Sequence, residues 1–420
     1  MLAALALPAS AWPHAGVVRT SPANGAVLER APASVRIAFD EAVRAASEVA
    51  AVRNGGGSVL GGEASVRGGD TLVVPLRAGL GDGDYSVRWA IVSDDGHLQS
   101  GVIAFAVGAG RAPPRAALAP LATGPTASSV ATRWLFFAGV LGAVGLALFS
   151  LVVWRPAPKP DEAAERLALL VSVFAVLAAV GAADEAHHAG LSTRAGTALG
   201  AGFVVALVVA TFAAAATMER RALVPALVAA LCLAPVPAVA GHALDPGLPR
   251  LNVVVDVLHV TAASAWVGAL VGLLAVRPPE EAMRRVVALA AGSVVVLGVT
   301  GVVRASFELV SLSQVWSTSY GRMLIVKTAL LLTILVAGWL ARRRVTRRAA
   351  IELALVAVLV VAVSVLVELR PGRNVTAPRA ALARPLPRAA ATRTSRSPAG
   401  TRASAPRSSG FHRDSGRARG

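Results

Sequence analysis

The sequence offers almost no sulfur chemistry. Its 420 residues include one cysteine, Cys232, which lies inside an apolar run. A single cysteine can form neither a disulfide framework nor a thiolate metal site. No methionine occurs between Met1 and Met218, so the first half of the chain cannot build a thioether site for a soft metal ion.

Charged residues are also scarce, and this indicates a membrane protein. Only 15% of the residues are charged, 55% are hydrophobic, and the mean hydropathy is +0.63. A soluble chain of this length is rarely so apolar. The net charge of +17 does not indicate nucleic-acid binding, because twelve arginines (Arg370 to Arg419) lie beyond Glu368 with one acid, Asp414. We therefore expect the lipid bilayer, and no nucleic acid, as a partner.

Nucleotide-binding motifs are missing as well. The sequence contains no G-x-x-x-x-G-K-[ST] stretch, in which backbone N–H groups would cradle phosphates. We predict no catalytic residues and no enzyme activity. Any transport would run down a gradient or be coupled to another protein.

Composition divides the chain into five segments. Residues 1–13 resemble a signal segment, with a short apolar stretch before "ASA". Residues 14–110 are strand-like, 111–132 form a linker, and 133–369 contain long apolar runs. Residues 370–420 are rich in Arg, Ala, Pro and Ser, a composition that cannot bury a core and predicts a basic disordered tail.

The strand-like segment alternates apolar and other residues with period 2, which predicts half-buried strands. Turn residues separate these runs at short intervals, as in small antiparallel β-sandwiches. We predict an all-β sandwich of Greek-key, immunoglobulin- or cupredoxin-like form, followed by an all-α polytopic membrane domain of about eight transmembrane helices. The predicted core positions are Val35, Ile37 and Phe39, then Tyr85, Val87, Trp89 and Ile91, then Ile103, Phe105 and Val107.

One predicted turn, "SDDGHLQSG", carries Asp95 and His97. A tight turn needs Asp and Gly for its backbone conformation but does not need an imidazole. A carboxylate with an imidazole suits a borderline divalent ion, and copper(II) accepts such nitrogen and oxygen ligands. The alternative is a solvated turn without a metal. The sandwich has one other histidine, His14.

The order of motifs in this segment resembles the copper-binding CopC family. "HAGVVRTSPANGAVLERAPASV" and "DGHLQSG" carry the resemblance over about a hundred residues. It implies that copper(II) is bound by the amine and imidazole of an amino-terminal His14, with Asp95 and His97 completing the site. Cleavage after "ASA" would instead leave two residues before His14. Because Pro13 has no amide N–H, His14 would then bind through its ring alone.

Residues 133–369 contain eight apolar runs of about 20 residues, the length that spans a bilayer. The fourth run, "LVPALVAALCLAPVPAVAG", is interrupted by prolines. By the positive-inside rule, loops rich in Arg and Lys face the cytoplasm. That rule orients the sandwich outside the cell membrane, because the basic residues occupy alternate loops: Arg155, Lys159 and Arg166; Arg220 and Arg221; Arg277, Arg284 and Arg285; and Arg342 to Arg348.

Polar residues inside apolar runs are costly and therefore indicate function. Asp256 and His259 lie three residues apart in the fifth run and would share a helix face. They form either a purely structural pair or a metal ligand with the carboxylate that orients it. Other such groups collect at the predicted outer ends of the runs, and these are Asp184, Glu185, His187, His188 and His242.

The apolar segment resembles the CopD family of copper-resistance membrane proteins from about residue 240 to 370. The stretches "GHA", "DVLHVTAASAWVG" and "SYGRMLIVK" carry the resemblance. Fused CopC–CopD chains in bacteria have this order of domains. The resemblance implies copper uptake or transfer across the inner membrane, for copper homeostasis or resistance, with periplasmic copper chaperones as partners. His242 and His259 would form a membrane copper path, with Asp256 behind His259 and Met323 as a soft ligand.

Three other functions fit the same residues. A haem-binding membrane electron carrier could use His188, His242 and His259 as axial ligands. A copper oxidase would use the amine and imidazole chelate. A copper buffer or sensor would need the sandwich alone, without histidines in the membrane.

Overall fold

The computed structural model describes residues 15–154, 162–244, 250–276, 278–340 and 345–369. The predicted signal segment, the predicted tail and His14 lie outside the described residues.

Nine strands form two facing sheets between Val17 and Val107. One sheet has the order β1-β3-β7-β6 and the other β2-β9-β8-β4, with β5 also pairing β8. All pairings are antiparallel except that of β2 with β9, a difference from the wholly antiparallel arrangement that alternation suggests. The strands are β1 Val17–Ser21, β2 Ala26–Leu28, β3 Ser34–Phe39, β4 Val43–Ala45, β5 Ala50–Arg53, β6 Ser65–Arg67, β7 Thr71–Pro75, β8 Gly83–Ser93 and β9 Leu98–Val107.

The predicted alternating residues form the core between the two sheets. All ten are at most 9% exposed, and Tyr85 stacks on Phe105 with ring centroids 5.4 Å apart.

The outer face of β8 and β9 is covered as well, because the following segment runs along it. Ala117 donates its N–H to Ser86 Oγ at 2.8 Å, and Ser100 donates to the carbonyl of Leu121 at 3.2 Å. The two-sheet sandwich that the sequence predicts is therefore confirmed.

Ten helices follow, and eight helical segments among the described residues are long and apolar enough to span a membrane. α1 begins at Ala127, after the N-cap Thr126, so the last six residues assigned to the linker are helical. A π-helical turn, Ser150–Trp154, extends α1. The helices are α1 Ala127–Phe149, α2 Glu162–Ala189, α3 Arg194–Ala216, α4 Leu223–Leu231, α5 Val236–Ala240, α6 Leu251–Val276, α7 Glu280–Glu308, α8 Gln314–Ser317, α9 Ser319–Leu340 and α10 Val345–Glu368.

The fourth span is a broken helix. α4 ends at Leu231, and α5 begins after Pro235, which is its N-cap. Proline interrupts a helix because it has no N–H to donate and its ring clashes with the preceding turn. α5 is followed by a 3₁₀ turn, His242–Leu244. His242 therefore lies at the end of this span, outside the α-helix.

Small residues let the spans approach closely. A side chain on Gly145 of α1 would lie 2.1 Å from the carbonyl oxygen of Ser264 in α6, and one on Gly139 would lie 2.2 Å from the backbone of Ala178 in α2. Close backbone approach at glycine is typical of helix packing in membranes, where van der Waals contact replaces the hydrophobic effect.

The sandwich rests on one end of this bundle. Arg44 of β4 donates from Nη2 to the carbonyl of His188 at 2.5 Å and from Nε to that of Ala189 at 3.2 Å, both at the end of α2. The turn between β8 and β9 contacts the start of α3, the 3₁₀ turn after α5 and the end of α10. These are the loops that the charge pattern predicts to lie outside.

Candidate metal centre at the junction of sandwich and bundle

The turn from Asp94 to His97 joins β8 to β9 as a tight hairpin. Gly96 donates its N–H to the carbonyl of Ser93 at 2.9 Å, and Ser93 donates its N–H to the carbonyl of His97 at 3.0 Å. Gly96 has a φ of +86°, a conformation that glycine adopts without strain. The two aspartates occupy the central positions of the turn, and His97 follows the glycine into β9.

Asp95 points into the junction and is only 5% exposed. Its Oδ1 accepts hydrogen bonds from Ser93 Oγ at 2.5 Å and from the His97 N–H at 3.1 Å. The same oxygen lies 3.2 Å from His97 Nδ1. A buried carboxylate held by two donors is preorganised to take up a cation.

The bundle contributes a second imidazole, His242. Its Nδ1 lies 3.4 Å from Oδ2 of Asp95, so the two carboxylate oxygens face histidines from two different parts of the chain. The rings of His97 and His242 stack with centroids 5.1 Å apart. One ligand atom each from Asp95, His97 and His242 lies within 4.8 Å of the others. Of the predicted site residues, these three come together.

The surroundings of this cluster are polar and enclosed. His97 Nε2 lies 3.2 Å from the carbonyl oxygen of Val367 in α10. Arg133 of α1 forms ion pairs with Glu185 of α2 and, at 3.3 Å, with Glu368 of α10. The sandwich, the end of α10 and the 3₁₀ turn after α5 therefore meet at the buried Asp95, with an imidazole and carboxylate set that suits copper(II) or zinc.

The chain just after His14 is fixed beside the cluster. Ala15 is buried beside Gln99, two residues after His97. With the Gln99 amide oxygen directed at Ala15, Gln99 accepts the Ala15 N–H at 2.9 Å and donates to the Ala15 carbonyl at 3.3 Å. Gly16 donates its N–H to Asp40 at 2.6 Å. Burial raises the pKa of the Asp40 carboxyl, and this hydrogen bond opposes the rise. The beginning of the described chain is thus attached to β9, which starts directly after His97.

Asp256 and His259 have separate partners. Asp256 forms an ion pair with Arg304 of α7, whereas His259 Nδ1 lies 2.8 Å from Thr300 Oγ1 of the same helix. α7 thus supplies a partner for each of them, whereas the sequence predicts that Asp256 orients His259. His188 is exposed, with its Nδ1 2.9 Å from the carbonyl of Asp184. His188, His242 and His259 thus lie in three different environments.

A cavity of about 440 Å³ lies between α6, α7, α9 and α10. Its walls are apolar except for the thioether of Met283 and the carboxylate of Glu352. Met323, the predicted soft ligand, lies half-buried in the first turn of α9. Met283 was not among the predicted ligands, because an isolated methionine at the start of an apolar run has no distinguishing pattern.

Asp94 and Arg194 were also missed by the sequence analysis. Asp94 accepts the N–H of Arg194 at 2.8 Å through Oδ1 and the N–H of Ala195 at 3.0 Å through its carbonyl. The N-cap Thr193 accepts the N–H of Gly196 at 3.0 Å. The turn thus satisfies two of the free N–H groups at the start of α3, where a carboxylate is favourable. In the sequence, the only indication of this contact with α3 was the pair of consecutive aspartates, Asp94 and Asp95.

The fit of the turn against the bundle predicts the effect of Gly96→Ala. A Cβ at this position would lie 3.1 Å from Cβ of Ala195 and 3.2 Å from Cβ of Ala189, neither of which can rotate away. We expect Gly96→Ala to weaken copper binding by the full chain about tenfold or more, because the turn would move off His242. Gly69→Ala is the control, since Gly69 has a φ of +84° but no atom near its added Cβ. Equal affinities in the two variants would contradict this prediction.

Two protein families match separate parts of the chain. Residues 17–108 match the CopC domain, and residues 280–385 match copper resistance protein D. The second match begins later than the sequence resemblance and leaves His242, Asp256 and His259 outside it.

Several individual proteins are also similar to this chain. Copper transport protein CutJ of Bacillus subtilis (strain 168) is 26% identical over 376 residues, covering 79% of this chain and 68% of that protein. Protein YobA of Escherichia coli (strain K12) is 31% identical over 101 residues, covering 23% of this chain and 82% of that protein. The crystal structure of CopC from Methylosinus trichosporium OB3b aligns with 22% of this chain and 93% of its own, at 25% identity and a TM-score of 0.21.

Each family match coincides with a separate part of the fold. The nine strands of the sandwich occupy the CopC match, and the last spans of the bundle occupy the second match. The chain is a multi-pass membrane protein that carries a CopC domain and a copper resistance protein D domain in one polypeptide.

Proposed function

We propose that this protein binds copper(II) outside the cell membrane and passes it inward through the helix bundle. Asp95, His97 and His242 would hold the ion together with His14. The sandwich would face the periplasm of the bacterial inner membrane, as the charge pattern of the loops predicts. A relative that aligns with 79% of this chain is named a copper transport protein, and the proposal extends that activity to this chain.

The position of Asp95 is the observation that carries this proposal. Its two oxygens lie 3.2 Å from an imidazole of the sandwich and 3.4 Å from an imidazole of the bundle. A storage site would be complete within the sandwich and would need no ligand from the membrane domain. A ligand set divided between the two domains instead lets the ion exchange partners without entering bulk water.

His14 would complete the set from the sandwich side. Its neighbour Ala15 is held by Gln99, which lies two residues from His97 along β9. His14 directly precedes Ala15 in the sequence. If processing exposes its amine, the amine and the ring together would favour copper(II).

The inward route would lead from His242 to His259. His259 lies eight residues into α6, which is about 12 Å along a helix that rises 1.5 Å per residue. Beyond it, the cavity with Met283 and Glu352 offers a thioether and a carboxylate. These two groups would be the next ligands along the route.

A single substitution tests the shared site. His242→Ala in the full chain should lower copper(II) affinity about tenfold or more, because it removes the imidazole that the bundle contributes to the cluster. The measurement is competition with a chelator of known affinity, on purified protein. His187→Ala is the matched control, since His187 is an exposed histidine at the same end of the bundle. Unchanged affinity in His242→Ala would show that the sandwich binds copper without the bundle.

A further inference from the structure

Arg194, at the start of α3, contacts residues that lie beside the proposed copper ligands of both domains. Its Nε donates to Oδ2 of Asp94 at 3.3 Å, beside the ligand Asp95 in the turn. Its Nη1 donates to the carbonyls of Val239 at 2.5 Å and Gly241 at 2.8 Å, and Gly241 immediately precedes the ligand His242. One guanidinium therefore holds the residues next to a ligand from each domain.

We propose that Arg194 is a positioning residue that brings His242 to Asp95 and His97. This inference rests on the proposed function, because it concerns the site shared by the two domains. Arg194 itself would not contact the ion.

The local backbone explains why such a residue is needed. Val239 lies in the last turn of the short helix α5, and Gly241 is its C-cap. The carbonyls at a helix C-terminus have no partner within the helix, and an arginine there satisfies them and interacts favourably with the helix dipole. Five residues of helix give α5 little stability of its own. The position of His242 therefore depends on the hydrogen bonds that hold this segment.

The rigid fork of arginine suits this bridging role. Its planar guanidinium has five donors and stays charged, so Nε and Nη1 can bind acceptors in fixed relative directions. One acceptor is the carboxylate of Asp94, in the turn between β8 and β9, and the others are carbonyls at the end of α5. These two segments are far apart in the sequence. Glutamine at position 194 would keep the backbone bonds of α3 but could not reach both groups.

The test counts the imidazoles bound to copper(II) in the purified full chain, by pulsed electron paramagnetic resonance. Wild-type protein loaded with one copper(II) should show one more imidazole than His242→Ala. Arg194→Gln should give the His242→Ala spectrum, with affinity about tenfold lower, as expected when a residue behind a ligand is lost. Asp94→Ala should give the same spectrum, because it removes the carboxylate of the sandwich that accepts a hydrogen bond from Arg194 Nε.

Arg44→Gln is the control for docking of the two domains. Arg44 also joins the sandwich to the bundle, through the carbonyls of His188 and Ala189, but it contacts no neighbour of a ligand. It should keep the wild-type spectrum. The inference is overturned if Arg194→Gln keeps the wild-type spectrum, or if Arg44→Gln loses an imidazole as well. A wild-type spectrum equal to that of His242→Ala would instead refute the shared site of the proposed function.

Discussion

Replacing His97 by alanine is expected to lower copper(II) affinity well over tenfold, in line with losses measured when metal sites are altered. The substitution removes an imidazole whose Nδ1 lies 3.2 Å from Asp95, and it leaves the carboxylate without an imidazole partner from the sandwich. Because His97 contacts Asp95 and stacks on His242, its loss removes a ligand from the centre of the cluster. Chelator competition on the purified full chain measures the effect.

The fold should survive this substitution. His97 follows the turn rather than lying in the sandwich core, and the backbone bonds of the turn do not involve its ring. His188→Ala is a control that removes an exposed imidazole hydrogen-bonded within α2. Wild-type affinity in His97→Ala, with normal folding, would remove this histidine from the proposed site.

Replacing His259 by leucine is expected to abolish copper accumulation that depends on this protein in cells. The substitution removes the imidazole but preserves apolar volume and helix propensity in α6. It also removes the contact with Thr300, a single hydrogen bond worth about 1 kcal/mol, so insertion and folding should be retained. Copper(II) binding at the outer site should be unchanged, because His259 lies deeper in the bundle.

Cellular copper content is the measurement, with expression levels matched and an empty-vector strain as the baseline. Leu258→Ala tests a neighbouring side chain of α6 that is half exposed on the bundle surface and should accumulate copper like the wild type. If His259→Leu cells accumulate as much copper as wild-type cells, His259 is structural and the inward path does not pass through it.

Local patterns in the sequence determined the two kinds of domain. Alternation in β3, β8 and β9 identified the buried face of the sandwich, because side chains on a strand point alternately to its two faces. Apolar runs of bilayer length identified the eight spans, since an isolated polar residue is costly in lipid. The prolines of the fourth span predicted its interruption, because the loss of an N–H acts within one helical turn.

The tertiary structure decided which of the candidate residues meet. Asp95 and His97 are neighbours in the sequence, but His242 is separated from them by about a third of the chain, and no local pattern encodes its approach. Asp256 and His259 share a helix, yet packing of α7 against α6 gives them Arg304 and Thr300 as partners. Arg194 could not be singled out among 41 basic residues, because its role arises only where the turn, α3 and α5 are packed together. Contacts between distant segments depend on the whole packing of the chain, and therefore the ligand types could be predicted from the sequence while their grouping could not.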